Sequence, residues 1–411
     1  MRILCIFLTL LVMSCDDHLK SISDPPSGGS EIPTIKLLWQ TMLPKSPQGT
    51  FSMPAILYKD KVMVSNGIIF SELNDNILAY SQDSGKMCWK WDNHYPDRKG
   101  EIMDLSQTIQ PVYQNIFMYN GENLYGIDLN TGQSIWSIDV HSRGGRYLEY
   151  TRMEELAFFR YLERDRSESL VIVNMKNGSE RKIYHADYSE DKPGFNPLVL
   201  PPAIQINQVG DTLLYFKTGY WSSPKVTSMA CYNLTKSEMV WFKEDVDPNT
   251  EPNSLATFIK DGLVFTCSFR TIFCFNSENG EIVWKRDFSD KHGGQYMANS
   301  NLEFDEQNVY FMIGNGNIFS LNQKTGKENW KTDVPGVALG GIRCIGGKII
   351  FSNRRLYVID ASNGKKLIEY DSSNESREYF DTYINDPTYD PVTKRIYFSD
   401  GYFLQCFQLI E

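Results

Sequence analysis

The chain has 411 residues, is 41% apolar and carries a formal net charge of -10. That length admits either two or three average domains or one large ring of repeats. The acidic balance, with no clustered run of Lys and Arg, excludes a nucleic-acid partner held through phosphates and gives no support to a polybasic membrane face. Tyr and Phe at 23 each and eight Trp favour strands over helices.

The N-terminus reads as a secretion signal over residues 1–14. Arg2 supplies the positive end, and the apolar run from Ile3 to Met13 is too short to span a bilayer. The segment Leu11-Val12-Met13-Ser14-Cys15 resembles a bacterial lipobox, which implies cleavage before Cys15 and lipid attachment at that cysteine. Residues 15–33 follow with Asp16, Asp17 and the stretch Pro25-Pro26-Ser27-Gly28-Gly29-Ser30, the composition of a flexible tether. Acidic residues after the lipidated cysteine resemble the export signals of surface lipoproteins in Bacteroidetes. The expected location is the cell envelope at the outer membrane, on its periplasmic or its surface side, with the membrane contacted through the lipid.

From Ile77 onward one segment recurs. Ile77 to Ser81 is followed by Gly85 and Trp89, Leu124 to Asp128 by Gly132 and Trp136, Ile272 to Asn276 by Gly280 and Trp284, and Ile318 to Asn322 by Gly326 and Trp330. Degenerate copies begin at Leu170, Met229 and Leu356. The period is about 45 residues, in the range of propeller repeats. Each copy reads as an apolar strand, an Asp or Asn that bonds its own backbone to start a turn, a Gly for positive φ, and a second strand. The Trp reads as an apolar plate packed between neighbouring sheets. A further apolar hairpin lies upstream of each copy, as in Ala55 to Val64 and Phe258 to Phe265, so a repeat has four strands.

Seven copies leave an eighth blade to be shared by the two ends. The chain finishes on Ile396 to Ser399 and Leu404 to Gln408 with no outer strand after them, whereas Lys36 to Thr41 carries Trp39 in the repeat's position. The expected fold is therefore all-β, an eight-bladed β-propeller over residues 34–411 with four-stranded antiparallel blades, closed by pairing the N-terminal strand into the C-terminal blade. Such closure removes free sheet edges. A monomeric ring is expected.

The pattern of Asp or Asn, Thr-Gly and Trp resembles the quinoprotein-like (PQQ-like) propeller repeat and covers nearly all of the chain from Lys36 on. The resemblance implies the fold. It leaves function open, because the fold serves quinone-dependent alcohol dehydrogenases and also cofactor-free lipoproteins such as the propeller subunit of the outer-membrane β-barrel assembly machine. The dehydrogenases of that family carry an adjacent cysteine pair against the cofactor and a metal site with a catalytic Asp. This chain has no Cys-Cys dipeptide and is shorter. No HExxH, GxSxG or phosphate loop occurs. No catalytic residue, cofactor or metal is expected, and a protein or other macromolecular partner is. A quinone- or metal-dependent oxidoreductase with a non-standard site and a carbohydrate-binding lipoprotein are the alternatives.

The partner's site is expected on the long connections, which gather on one face of a propeller: Asp139 to Arg152, His185 to Ala203, Lys217 to Ser228, Phe288 to Asn301 and Ser372 to Asp386. Their aromatic residues with polar tips, Tyr147, Tyr150, Tyr220, Trp221, His292 and Tyr296, are the candidate binding face. The six cysteines after Cys15 form no CxxC pattern and fall mostly at apolar strand positions, which suits small buried side chains. Cys267 and Cys274 flank a short turn, from which they can pair across a hairpin in an oxidising compartment.

Overall fold

The computed structural model describes residues 34–43, 55–66, 76–92, 112–120, 123–140, 143, 145–164, 168–186, 195–196, 202–220, 226–248, 257–288, 302–314, 316–335, 341–352, 355–371, 387–399 and 403–410. The signal, Cys15 and the tether lie outside them.

Local sequence dictates the repeating unit, and blade 5 serves as the template. Its strands, from the ring's centre outward, are Phe258–Lys260, Leu263–Cys267, Thr271–Asn276 and Ile282–Asp287, each antiparallel to the next. The third strand ends on Asn276, whose side-chain oxygen accepts the Glu278 backbone N–H at 2.8 Å and starts the turn. Asp128, Asn322 and Asp360 do the same for the amides two residues on. The turn closes on Gly280 at φ +69°, with Gly85, Gly132, Gly178, Gly326 and Gly364 holding its place in the other copies at similar positive φ.

After the turn the outer strand takes one extra residue. Cys274 lies opposite Trp284 and Phe275 opposite Ile282, leaving Val283 as a bulge. Cys88, Ile135, Val240 and Asn329 take the same place directly before Trp89, Trp136, Trp241 and Trp330. A bulge twists the strand locally and re-aims the next side chain. Here it turns the Trp toward the next blade.

Eight such sheets form the ring. Blades 1 to 7 occupy residues 56–92, 112–138, 146–186, 195–243, 258–287, 303–332 and 343–371. Blade 8 combines Thr388–Asp390, Arg395–Ser399 and Phe403–Ile410 with the N-terminal strand Thr34–Met42. Thr34 lies opposite Ile410 and Met42 opposite Phe403, and Leu38 is the extra residue before Trp39. The closure read from the sequence is thus present strand for strand.

Neighbouring blades are joined by a recurring contact that the turn and the bulge create together. Each Trp ring lies on the turn glycine of the following blade, and its Nε1–H donates to a backbone carbonyl of that turn. Trp39 donates to Gln82, Trp89 to Leu129, Trp136 to Met175, Trp241 to Ser277, Trp284 to Gln323 and Trp330 to Ala361, at 2.7 to 3.1 Å. A Cβ placed on Gly326 would come within 2.6 Å of the Trp284 ring, so only glycine permits the approach. Thr41 and Thr332, two residues after their Trp, add a bond of 2.6 Å each to the carbonyls of Gly85 and Gly364.

Two junctions lack this contact. Blade 7 has Ile368 where Trp stands elsewhere, and blade 8 has no third-to-fourth turn because its two outer strands come from opposite chain ends; an apolar cluster around Phe398, Phe407 and Leu409 takes over. Blade 3 moves its bulge to Ile183, which leaves Arg181 opposite Ile172, and blade 4 turns on Ser237 at φ +55° in place of Gly. There Phe158, Leu170, Ile172, Leu214 and Phe216 pack the two sheets together in one apolar cluster. Blade 4 is also enlarged, with Phe195–Asn196 and Ala203–Ile206 both pairing with the long strand Thr212–Tyr220.

Candidate interaction face

The connections from blade to blade leave one face of the ring, which also carries second-to-third turns such as 268–270, and the other turns within the blades close the opposite face. First-to-second turns such as 59–60 and 261–262 and third-to-fourth turns such as 277–280 lie on one face; the strand ends at Asp92, Asp287, Thr332 and Asp371, which lead into the next blade, open on the other. Long connections on a rigid scaffold are the ordinary place for recognition.

Two expected recognition residues prove to be core. The innermost strand of blade 3 runs Arg146–Met153, so it takes up half of the connection expected from Asp139 to Arg152. Tyr147 and Tyr150 are only 2% and 6% exposed and pack with Phe159 and Tyr161 at ring distances of about 5 Å. The Tyr147 hydroxyl donates to the Glu180 carboxylate, which also pairs with Arg143. Burial and that carboxylate hold the Tyr147 phenol well above its usual pKa. The Arg-Gly-Gly-Arg-Tyr segment is thereby pinned to its own blade, and Gly145 fits because a Cβ would strike the Tyr161 hydroxyl. Offering Tyr147 and Tyr150 to a partner is corrected accordingly.

The connection expected over Lys217 to Ser228 is likewise shorter. Thr212–Tyr220 and Val226–Asn233 pair along their whole length, with Tyr220 opposite both Val226 and Phe195, and leave only 221–225 between them. Tyr220 therefore sits at the far end of a hairpin longer than its counterpart in blade 5. Trp221, His292 and Tyr296 lie outside the described residues.

Beneath that hairpin is a buried polar layer between blades 4 and 5 that the sequence reading did not single out. Lys217 is fully buried, and its Nζ donates to the Cys267 carbonyl at 2.8 Å. Burial pushes its pKa down to about 8. Close by, Ser268 donates to Asp247, and Thr257 and Thr266, neighbours across the two inner strands of blade 5, have buried hydroxyls with no hydrogen-bond partner. The available signal was a lysine inside Leu213-Leu214-Tyr215-Phe216-Lys217, an otherwise apolar strand.

Among the described residues the adjacent cysteine pair of the dehydrogenase kind of quinone site is not present: the cysteines stand singly, and Cys231, Cys267, Cys274 and Cys406 are buried in strands. Cys267 lies opposite Ile272 and Cys274 opposite Phe265, so the two thiols are offset along the hairpin and form no disulfide. Burial pushes the Cys274 thiol up to about 12. Among the described residues no group of three or more His, Cys, Asp or Glu side chains converges as a metal site.

Comparison with known proteins agrees with this geometry. A crystal structure of BamB from Moraxella catarrhalis superposes with a TM-score of 0.56 at 12% identity, covering 91% of this chain and all of that one. Quinohemoprotein alcohol dehydrogenase from Comamonas testosteroni gives 0.63 at 11% identity, covering 91% of this chain and 76% of that one. At such identities the likeness is one of fold. The tetrathionate hydrolase of Acidithiobacillus ferrooxidans is 32% identical over 101 residues, which is 24% of this chain and 19% of that protein, so this chain matches about a fifth of that relative's length. The family described as outer membrane protein assembly factor BamB matches residues 30–178 and 230–409, leaving out the stretch in which the Trp contact fails and blade 4 is enlarged. With most of its length matched in this way and its eight blades built to the same plan, the chain belongs to the family of the outer membrane protein assembly factor BamB.

Proposed function

We propose that this chain is a non-enzymatic envelope lipoprotein, anchored through Cys15 at the outer membrane, that binds or scaffolds a protein partner with the long-connection face of its propeller. The observation that carries the reading is the division of labour between the faces. One is closed by short turns whose glycines are covered by the preceding blade's Trp. The other receives the long connections between blades and carries the extended hairpin of blade 4, in the stretch where the chain departs from its family. Membership of the BamB family, whose name records a part in outer-membrane protein assembly, supports a scaffolding role over chemistry.

The test is affinity capture from native membranes with the intact protein and with a Tyr220→Ala/Trp221→Ala variant. Loss of a specific protein from the variant's profile is expected. Identical profiles would remove blade 4 from the binding face, and saturable binding of PQQ with Ca²⁺ to the intact protein would overturn the non-enzymatic reading.

A further inference from the structure

The ring's exposed apolar side chains are unevenly placed. Among the described residues, blades 3, 6 and 7 expose no large apolar side chain, whereas blade 8 exposes Leu37, Leu38, Val392 and Ile410 toward the end where its N-terminal strand begins, and Met42 at that strand's opposite end. Val392 is 89% exposed at the tip of a turn, and Ile410 is 47% exposed. Single surface apolar residues need no explanation, but a group at one place does.

Strand register places the four toward the same end of the blade. The N-terminal strand begins with Thr34 opposite Ile410, so it starts on the tight-turn side of the ring, and Leu37 and Leu38 follow at once. The Leu409 amide donates to the Lys394 carbonyl at 2.9 Å, which sets the turn carrying Val392 beside the same strand end. The chain that precedes Thr34 therefore joins the ring at this corner. Residues 15–33 have tether composition, and a flexible chain of that length has a mean reach of roughly 25 Å.

We infer that this corner of blade 8 is a membrane-contact site, which rests Leu37, Leu38, Val392 and Ile410 on the lipid bilayer surface and directs the long-connection face away from it. The inference builds on the anchor at Cys15 proposed above. A lipid chain near the corner keeps it at high effective concentration against the bilayer, where even modest apolar contact becomes productive. The contact is apolar, in keeping with a chain of net charge -10. Blade 4 supplies the rival surface, because Ile206 and Val209 at its inner hairpin and Met239, Val240 and Phe242 on its outer strand are also exposed, but blade 4 stands across the ring from the tether.

The test uses the mature chain, residues 15–411, carrying Cys15→Ala, which removes both the signal and the lipid, in flotation with phosphatidylethanolamine/phosphatidylglycerol vesicles. Measurable partition is expected. It should fall about tenfold with Leu38→Ser/Val392→Ser/Ile410→Ser and stay unchanged with Met239→Ser/Phe242→Ser. No partition by the Cys15→Ala protein, or an equal loss in both variants, would overturn the inference. Thermal melts verify that the variants are folded; should the triple variant not fold, Val392→Ser alone, at an exposed turn tip, should lower partition about threefold, and no change would count against the site. Radiolabelled palmitate on the native protein tests the anchor separately, so an unlabelled Cys15 would sink that reading while the vesicle result still decides the corner.

Discussion

The junction between blades 5 and 6 and the junction between blades 3 and 4 solve one problem in two ways. At the first, Trp284 covers Gly326, donates to the Gln323 carbonyl and is set in place by the bulge at Val283. At the second the bulge has moved, Arg181 stands in the Trp register, and an apolar cluster joins the sheets. A ring needs its junctions tight, but not all by the same device. Relief from the Trp, bulge and glycine constraint coincides with the enlarged blade 4 and with the stretch that the family leaves unmatched. The other junction without the Trp, at Ile368 between blades 7 and 8, keeps a regular blade and lies within the matched stretch, so the missing Trp alone does not account for the departure.

That contrast can be broken most severely at the closure, where a Trp contact is supplied by the far end of the chain. Deleting residues 34–42 removes the Trp39 contact and exposes the edge of Phe403–Ile410. The expected outcome is loss of a soluble, cooperatively unfolding monomer, checked by size-exclusion chromatography and urea denaturation; a folded monomer with an unchanged midpoint would show that closure is dispensable.

Within the intact ring, Trp284→Ala should cost about 3–5 kcal/mol, while Arg181→Ala at the other junction should stay within about 0.5 kcal/mol, since Arg181 is exposed. Urea midpoints of the two variants give the comparison directly. Equal losses would mean that the Trp contact holds no special place.

The glycine's part can be separated from that of the Trp. Gly326→Ala meets the Trp284 ring and also a φ of +64°, for an expected cost of about 2–4 kcal/mol; Gly347→Ala has φ +74° but open space, for about 1–2 kcal/mol. Similar values in thermal melts would assign the glycine requirement to backbone conformation alone.

A smaller effect probes the irregular region through Lys217. Its folded pKa of about 8 lies below the ordinary 10.5, so between those values the unfolded chain holds a proton that the folded chain has released. Stability relative to a Lys217→Met variant should therefore rise with pH across that window and be flat below it. Urea midpoints of both proteins at pH 7.5 and pH 10 test the sign; a relative fall would contradict a buried, destabilised ammonium.

The parts of this fold that are legible in sequence are those in which one residue acts on its near neighbours. Asn276 capping its own turn and Gly280 adopting positive φ are local events, and seven copies make them visible. Closure was legible for a related reason, because a missing outer strand at one end and a spare Trp39 at the other complete a count. The interaction face was less so. Tyr147 looked like a loop aromatic because the strand Arg146–Met153 follows Arg-Gly-Gly, a turn-like run; its burial depends on Glu180, distant in sequence and on the outer strand of the same blade. Cys267 and Cys274 looked pairable by separation, and a register offset of two residues set them apart.

By itself, then, the sequence determined the number of blades, the turn chemistry and the closing strand, since these follow from periodicity and conformational preference. Only the tertiary structure decided which glycine each Trp covers, which tyrosines are core, that Lys217 is buried between blades 4 and 5, and on which side of the ring the chain joins blade 8. Each of those is a contact between segments 30 or more residues apart, fixed by packing and strand register rather than by anything that neighbouring residues could encode.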